Sequence, residues 1–338
     1  MRTLPVVLVV SLAVSAIPAL GGEPDSQPKL PHHLIWEALD GKGEGDKPSG
    51  REVVAELTKN YEVESQTREW EILDFMGQRA WEDCARRVAR KYPDAVREAA
   101  QQSTGVAEKY VLILGDVGGD ENVDLLVRLC NKCPTWNRVI ALGRTKSPKA
   151  HKQLRRVMLL DKDPKYILAG LAAEILAQAG DRQISPTLKT WLAGDCPRRK
   201  QLAVHAANLL GDPELAAALR KLEAGTPDKD RYRLYRALVS CGDDRHLDKV
   251  HKVALDESQY LADEKEESPD PAIPVINWNY RQREALEAIA KLGSPRSLPV
   301  LDKLRAKAAD RRVRIRATAI AKAIRKAAAQ SSKPSVGG

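Results

Sequence analysis

Residues 203–222 read AVHAANLLGDPELAAALRKL, and this stretch decides the fold. In its first half the apolar residues recur at intervals of three and four, which is the spacing of one helical face. Leu215, Leu219 and Leu222 continue that spacing beyond Gly211-Asp212. Glycine readily adopts the left-handed backbone that ends a helix, and an aspartate after it can accept hydrogen bonds from the N–H groups that open the next helix. The stretch therefore predicts two helices joined by a tight turn.

The same pattern recurs along the chain. A Gly-Asp pair repeats at intervals of 31 residues, and a Gly-Ser pair follows in a further copy: Gly180-Asp181, Gly211-Asp212, Gly242-Asp243 and Gly293-Ser294. Around Gly115 and Gly143 the apolar positions are shifted by three residues, which predicts a longer turn. Because the apolar face of one hairpin has only the next hairpin to cover it, this period predicts an all-α fold built as an α-solenoid.

Five short pieces share a Val-Arg helix start or a Leu-Gly turn: Val96-Arg97, Ala141-Leu142-Gly143, Leu210-Gly211-Asp212, Leu292-Gly293 and Val313-Arg314. They resemble HEAT repeats, in particular the short type of phycobilisome-lyase-like proteins. Most copies depart from that family by lacking the Val-Arg pair. The resemblance implies an armadillo-like superhelix of about seven helical hairpins. It is specific for fold and not for function.

The N-terminus has the pattern of a secretory signal. Arg2 precedes an apolar run over residues 4–20, and Ala19-Leu20-Gly21 is a small-x-small cleavage site. We therefore expect residues 1–22 to be removed, the protein to be exported to a periplasm or the extracellular space, and no membrane span to remain. A retained membrane anchor is the alternative.

Composition divides the rest of the chain into four segments. Pro, Gly and charged residues dominate the first of them, whereas Trp70, Trp81 and Tyr92 could form the end of a hydrophobic core. The predicted segments are a flexible N-terminal arm (23–50), an N-terminal helical cap (51–92), HEAT-like repeats (93–329) and a disordered tail (330–338).

An insertion interrupts the repeats at residues 258–279, because Gly242 and Gly293 lie 51 residues apart and not 31. Insertions in solenoids form loops on one face, which is often the binding face. Trp278 and Tyr280, next to an acidic and Pro-rich stretch, are candidate anchors for a partner. The alternative is that Trp278 packs the loop against its own repeat.

Two clusters of side chains suggest interaction surfaces. Tyr232, Tyr235 and Arg236 belong to types favoured at protein interfaces, although a charged outer helix face with Tyr235 partly packed explains them equally. Eleven Lys or Arg against two Asp between residues 296 and 326 equal the whole net charge of +9. The candidate polyanion-binding residues there are Arg311, Arg312, Arg314 and Arg316. A solvated terminal face is the alternative.

Sequence motifs give no catalytic residue, cofactor or metal site. Cys130 and Cys133 are the only closely spaced cysteines, and no second pair completes a zinc site. They form a local disulfide in an oxidising compartment or remain two thiols. The chain has no Gly-x-Ser-x-Gly turn of the kind that presents a nucleophilic serine.

These patterns predict an exported, non-catalytic scaffold that binds another protein on a concave surface of successive second helices. Polyanion binding by the C-terminal helices is the alternative, with an anionic glycan or lipid favoured over nucleic acid because of the predicted export. A lyase-like enzyme, by analogy with the family resemblance, is the third hypothesis.

Overall fold

The computed structural model describes residues 49–66, 70–102, 106–160, 167–256 and 280–331. Within these ranges every regular element is helical, which confirms the predicted all-α class. The predicted signal, nearly all of the arm, the insertion 258–279 and residues 332–338 of the tail lie outside the described residues. Gly50 and Ser331 belong to the first and last helices, so those predicted boundaries shift slightly.

The α-helices in chain order are α1 Gly50–Gln66, α2 Trp70–Lys91, α3 Pro93–Ala99, α4 Ala107–Val117, α5 Asp120–Lys132, α6 Trp136–Thr145, α7 Pro148–Met158, α8 Ile167–Gln178, α9 Ser185–Ala193, α10 Pro197–Leu210, α11 Ala216–Arg220, α12 Asp228–Ser240, α13 Leu247–Ala254, α14 Tyr280–Leu292, α15 Leu298–Lys307 and α16 Arg311–Ser331. Short 3₁₀ turns occupy Arg182–Ile184, Pro213–Leu215, Glu223–Gly225, Asp244–His246 and Pro295–Ser297.

The predicted turn chemistry is confirmed in four hairpins. Their glycines adopt left-handed backbone with φ of 73°, 65°, 86° and 65°: Gly180, Gly211, Gly242 and Gly293. The side chain of the next residue accepts a hydrogen bond from the backbone N–H two residues further on: Asp181 from Gln183, Asp212 from Glu214, Asp243 from Arg245 and Ser294 from Arg296. Each turn therefore opens the following helix with a capped 3₁₀ segment.

The turns predicted after Gly115 and Gly143 are placed differently. Both glycines lie inside helices, α4 and α6, and the left-handed residues come three positions later, at Gly118 and Lys146. The three-residue shift thus reflects a longer helix and not a longer turn. A Cβ atom at Gly115 would lie 2.6 Å from the carbonyl oxygen of Ala141, so the glycine allows α4 and α6 to approach closely.

Packing follows chain order. Extensive contacts join each helix to the next one or two helices in the chain. The first helices of successive hairpins (α4, α6, α8, α10, α12 and α14, here called the first-helix row) contact one another more closely than the second helices do. Buried apolar residues form a larger cluster from Val53 to Cys241 and a smaller one from Val239 to Ile324.

The predicted helical cap contains a buried aromatic group. Trp81 is fully buried and its indole Nε1–H donates to the carbonyl oxygen of Leu57 at 3.1 Å. The rings of Tyr61 and Tyr110 lie 5.1 and 5.7 Å from that of Trp81. These contacts join α1, α2 and α4 into one end of the core.

Candidate partner-binding groove

A groove of about 710 Å³ lies between α10 and α12, two neighbouring members of the first-helix row. Its walls are the first half of α10 on one side, and α12 with the connection at residues 221–227 on the other. Glu284 of α14 contributes to the lining as well. This volume is typical of sites that hold a small molecule or a few residues of a peptide.

The second helix that precedes the groove's connecting wall is short. The α-helical part of α11 has five residues, whereas α9, α13 and α15 have nine, eight and ten. The chain then turns at residues 223–225, and Thr226 closes this turn by donating its hydroxyl to the carbonyl oxygen of Leu222 at 2.7 Å. The Nε–H of Arg231 donates in turn to the carbonyl oxygen of Thr226 at 3.3 Å. The connection therefore forms an ordered wall opposite α10.

A buried ion pair lies at the base of the groove. The guanidinium of Arg236 contacts the carboxylate of Glu284, and these residues are 4% and 9% exposed. Arg236 also lies 6.0 Å from the ring centre of Tyr232, and burial raises the pKa of Tyr232 to about 12. Because separating a buried pair leaves a charge without compensation, this contact fixes α12 against α14.

A histidine on α10 adds a neutral polar group to the lining. His205 Nε2 lies 3.8 Å from the carboxylate of Glu174. Burial nevertheless holds the pKa of His205 below its ordinary value, and the positive charges of Arg236 and Arg233 add to this effect. His205 is therefore neutral at pH 7 and can donate or accept one hydrogen bond.

The rim of the groove is basic. Arg198 and Lys200 project from the first turn of α10, and Lys221 lies on the opposite wall. Within the described part of the chain these three side chains form no ion pair, whereas Arg233 lies 3.5 Å from Asp230. The groove thus presents uncompensated positive charge on both sides of its opening.

The predicted Tyr/Arg cluster lies mostly within helix contacts. The ring of Tyr235 stacks on that of His246 at 4.1 Å, and the hydroxyl of Tyr232 donates to the carbonyl oxygen of Arg281 at 3.5 Å. Of the three predicted residues, only Arg236 lines the groove. Trp278 lies outside the described residues, and Tyr280 begins α14.

The predicted basic residues of α16 divide into two pairs. Arg312 lies 3.0 Å from the carboxylate of Asp310, and Arg314 donates to the carbonyl oxygens of residues 308 and 309. Both side chains therefore hold the start of α16. Arg311 and Arg316 are exposed and have no ion-pair partner within the described ranges.

Cys130 and Cys133 are free thiols in this structure, which corresponds to the second of the two sequence alternatives. Cys130 is buried and Cys133 is exposed. Burial raises the pKa of Cys130, and it raises the pKa of Cys84 and Cys241 to about 11 and about 12. The buried thiols consequently remain protonated at neutral pH.

Sequence reasoning did not find the groove. No pattern in the sequence links the basic run at Arg198 to Lys200 with Lys221. The signal that could have found it is Gly225-Thr226-Pro227, a turn sequence that begins five residues after α11 ends at Arg220.

Comparisons with protein-family models and with curated proteins found no match to this chain. Among the residues that the structure describes, no helix is both long and apolar enough to cross a bilayer. The same residues contain no group of three or more potential metal ligands.

Proposed function

We propose that this protein is an exported, non-catalytic scaffold of HEAT-like hairpins, and that it binds a segment of another protein in the groove between α10 and α12. The observation that carries the proposal is the groove itself, with its ordered wall, its buried Arg236–Glu284 pair and its basic rim. A preformed groove of this kind binds at lower entropic cost than a surface that must first be ordered.

Three features support the α-solenoid architecture within this proposal. The Gly-Asp turns recur with one period, the capped turns have the same geometry in four hairpins, and extensive contacts are confined to helices close in the chain. Such one-dimensional packing is typical of repeat proteins. In a curved stack, the row of helices with the closer spacing lies inside. We therefore assign the concave surface to the first-helix row, whereas the sequence alone favoured the second helices.

Site-specific photocrosslinking tests the binding site. A photoreactive amino acid replaces Gln201, an exposed residue of the groove, and in a matched variant it replaces Lys303 on α15. Both variants are produced with their native N-terminus in the cells that make the protein, and the adducts are identified by mass spectrometry. We expect a discrete protein adduct from position 201 that is missing from position 303. Identical adduct patterns at both positions would overturn the proposed site.

Polyanion binding by α16 is a second candidate function. Arg311 and Arg316 are exposed on this helix, and between them Ile315 is 59% exposed. The double variant Arg311→Gln/Arg316→Gln should lower heparin affinity and flatten its dependence on salt, because fewer counterions are released. An unchanged salt dependence would remove this candidate.

A further inference from the structure

We infer that the groove between α10 and α12 binds an acidic peptide segment, with carboxylates next to at least one apolar side chain. This inference rests on the proposed function, because it specifies the chemistry of the partner.

The charge balance of the lining favours an anionic ligand. Two of its three carboxylates, Asp230 and Glu284, already lie next to Arg233 and Arg236. Asp195 is therefore the one remaining carboxylate of the lining, which also contains the three rim cations Arg198, Lys200 and Lys221. A ligand carboxylate would gain an ion pair there without breaking an existing one.

The two walls allow a peptide to be held from both sides. Arg198 and Lys200 belong to α10, whereas Lys221 ends α11 on the opposite wall. An arginine can bind a carboxylate through two parallel hydrogen bonds, and a lysine contributes a more mobile point charge. Two acidic side chains of one segment could thus be engaged across the opening.

The N-terminus of α10 adds to the preference for anions. Its first turn contains Pro197, Arg198 and Arg199 but no acidic residue. The N–H groups at a helix start and the helix dipole both favour negative charge. In this helix the cationic side chains and the dipole therefore both favour a bound anion, and both lie at the same end of the groove.

The space between the charged walls is apolar. Leu202 and Val204 of α10 and Leu222 of the opposite wall are half-buried in the lining, whereas Leu234 beside them is already buried in the core. A purely acidic segment would leave this surface without a partner. An aliphatic side chain between the carboxylates would bury it, at about 25 cal/mol for each Å² removed from water.

Selection from a phage-displayed library of random peptides tests the inference without knowledge of the natural partner. The bait is the full chain, and a parallel bait carries Arg198→Glu and Lys200→Glu. These substitutions place acidic residues in the first turn of α10, where the helix dipole favours them, so the variant should remain folded. A matched control with Lys152→Glu on α7 and Lys303→Glu on α15, two exposed residues outside the groove, has the same change in net charge. Circular dichroism and thermal melting verify that all three baits are folded and equally stable.

We expect the wild type and the Lys152→Glu/Lys303→Glu control to select peptides enriched in Asp or Glu beside Leu, Ile or Val. The groove variant should lose at least tenfold in affinity for those peptides. Selection of neutral or basic peptides that still depend on Arg198 and Lys200 would overturn the acidic preference and leave the proposed site standing. Peptides whose binding is equal in all three baits would overturn both the inference and the proposed groove.

Discussion

At the scale of single residues, the capping side chains do more than start a helix. Asp243 accepts from the backbone N–H of Arg245, and its carboxylate also lies 2.7 Å from the Nε of Arg220 in the preceding hairpin. Asp181 likewise forms an ion pair with Arg155 of its preceding hairpin. Asp212 accepts a hydrogen bond from the hydroxyl of Ser185, also in the preceding hairpin. In these three turns, one residue caps its own hairpin and joins it to the previous one.

The Asp243 network predicts a loss of stability in acid. Burial alone would raise the pKa of Asp243, but hydrogen bonds from Arg245 and Arg220 outweigh it and hold that pKa well below the ordinary value of 3.8. The stabilisation is therefore present above pH 3.8 and is lost as the pH falls further. Asp243→Asn should lower the free energy of unfolding by about 1–3 kcal/mol near pH 7.

Urea unfolding of the wild type and the Asp243→Asn variant, near pH 7 and again at about pH 3, measures this effect. The difference between the two proteins should shrink in acid. Asp228→Asn is the control, because the side chain of Asp228 is 88% exposed. A constant difference at both pH values would contradict the assigned role of the carboxylate.

Thiol labelling distinguishes the exposed cysteine from the three buried ones. Cys133 is exposed, whereas Cys84, Cys130 and Cys241 are buried and have raised pKa values. In the native protein, iodoacetamide near pH 8 should modify Cys133 at least tenfold faster than any of these three. Mass spectrometry of digested protein measures the rates. Protection of Cys133, reversed by a reductant, would instead support the disulfide with Cys130 that the sequence left open.

At the scale of helices, close approach depends on missing side-chain atoms. Gly115→Ala would place a Cβ atom 2.6 Å from the carbonyl oxygen of Ala141, on the backbone of the facing helix α6. We expect a loss of about 1–3 kcal/mol, measured by urea unfolding. Gly225→Ala is the control, because nothing lies within 4 Å of its added Cβ. Equal stability of the two variants would show that α4 and α6 can separate without cost.

The same helices show what the sequence can and cannot predict. Gly211 and its equivalents were identified correctly because a turn between two helical patterns constrains backbone φ locally. Gly115 was assigned to a turn because glycine serves both turns and close helix contacts, and only the position of α6 distinguishes these uses. Arg312 and Arg314 were chosen for their charge, whereas the structure uses them to hold the start of α16. The groove depends on side chains far apart in the chain, which no local pattern connects.

At the scale of the whole molecule, the core is divided. The smaller buried cluster, from Val239 to Ile324, includes α13 and α15 together with parts of α14 and α16, and it begins where α12 ends. In the proposed solenoid, stability is a sum over neighbouring contacts, so the smaller cluster should open before the larger one. Native-state hydrogen exchange should therefore give lower opening free energies for α15 and α16 than for α8 and α10.

A substitution in the smaller cluster tests whether that cluster opens independently of the larger one. Leu301→Ala removes a fully buried side chain from the smaller cluster and should lower the opening free energy of α15 and α16 by about 2–5 kcal/mol. The exchange of α6 and α8 should remain unchanged. Equal effects on all of these helices would mean that the molecule unfolds as a single cooperative unit.

In the proposed scaffold, the short helix α11 affects the position at which a partner chain binds. Repeats of one length offer a ligand equivalent positions along the stack, so a long partner could shift by one hairpin and bind nearly as well. The described second helices differ, and α11, with five residues, is the shortest of them. In the proposed scaffold, this irregularity would give the molecule a reference point at which a bound chain has one register and one polarity. One irregular hairpin would thereby make a single position on a repetitive surface specific for the partner.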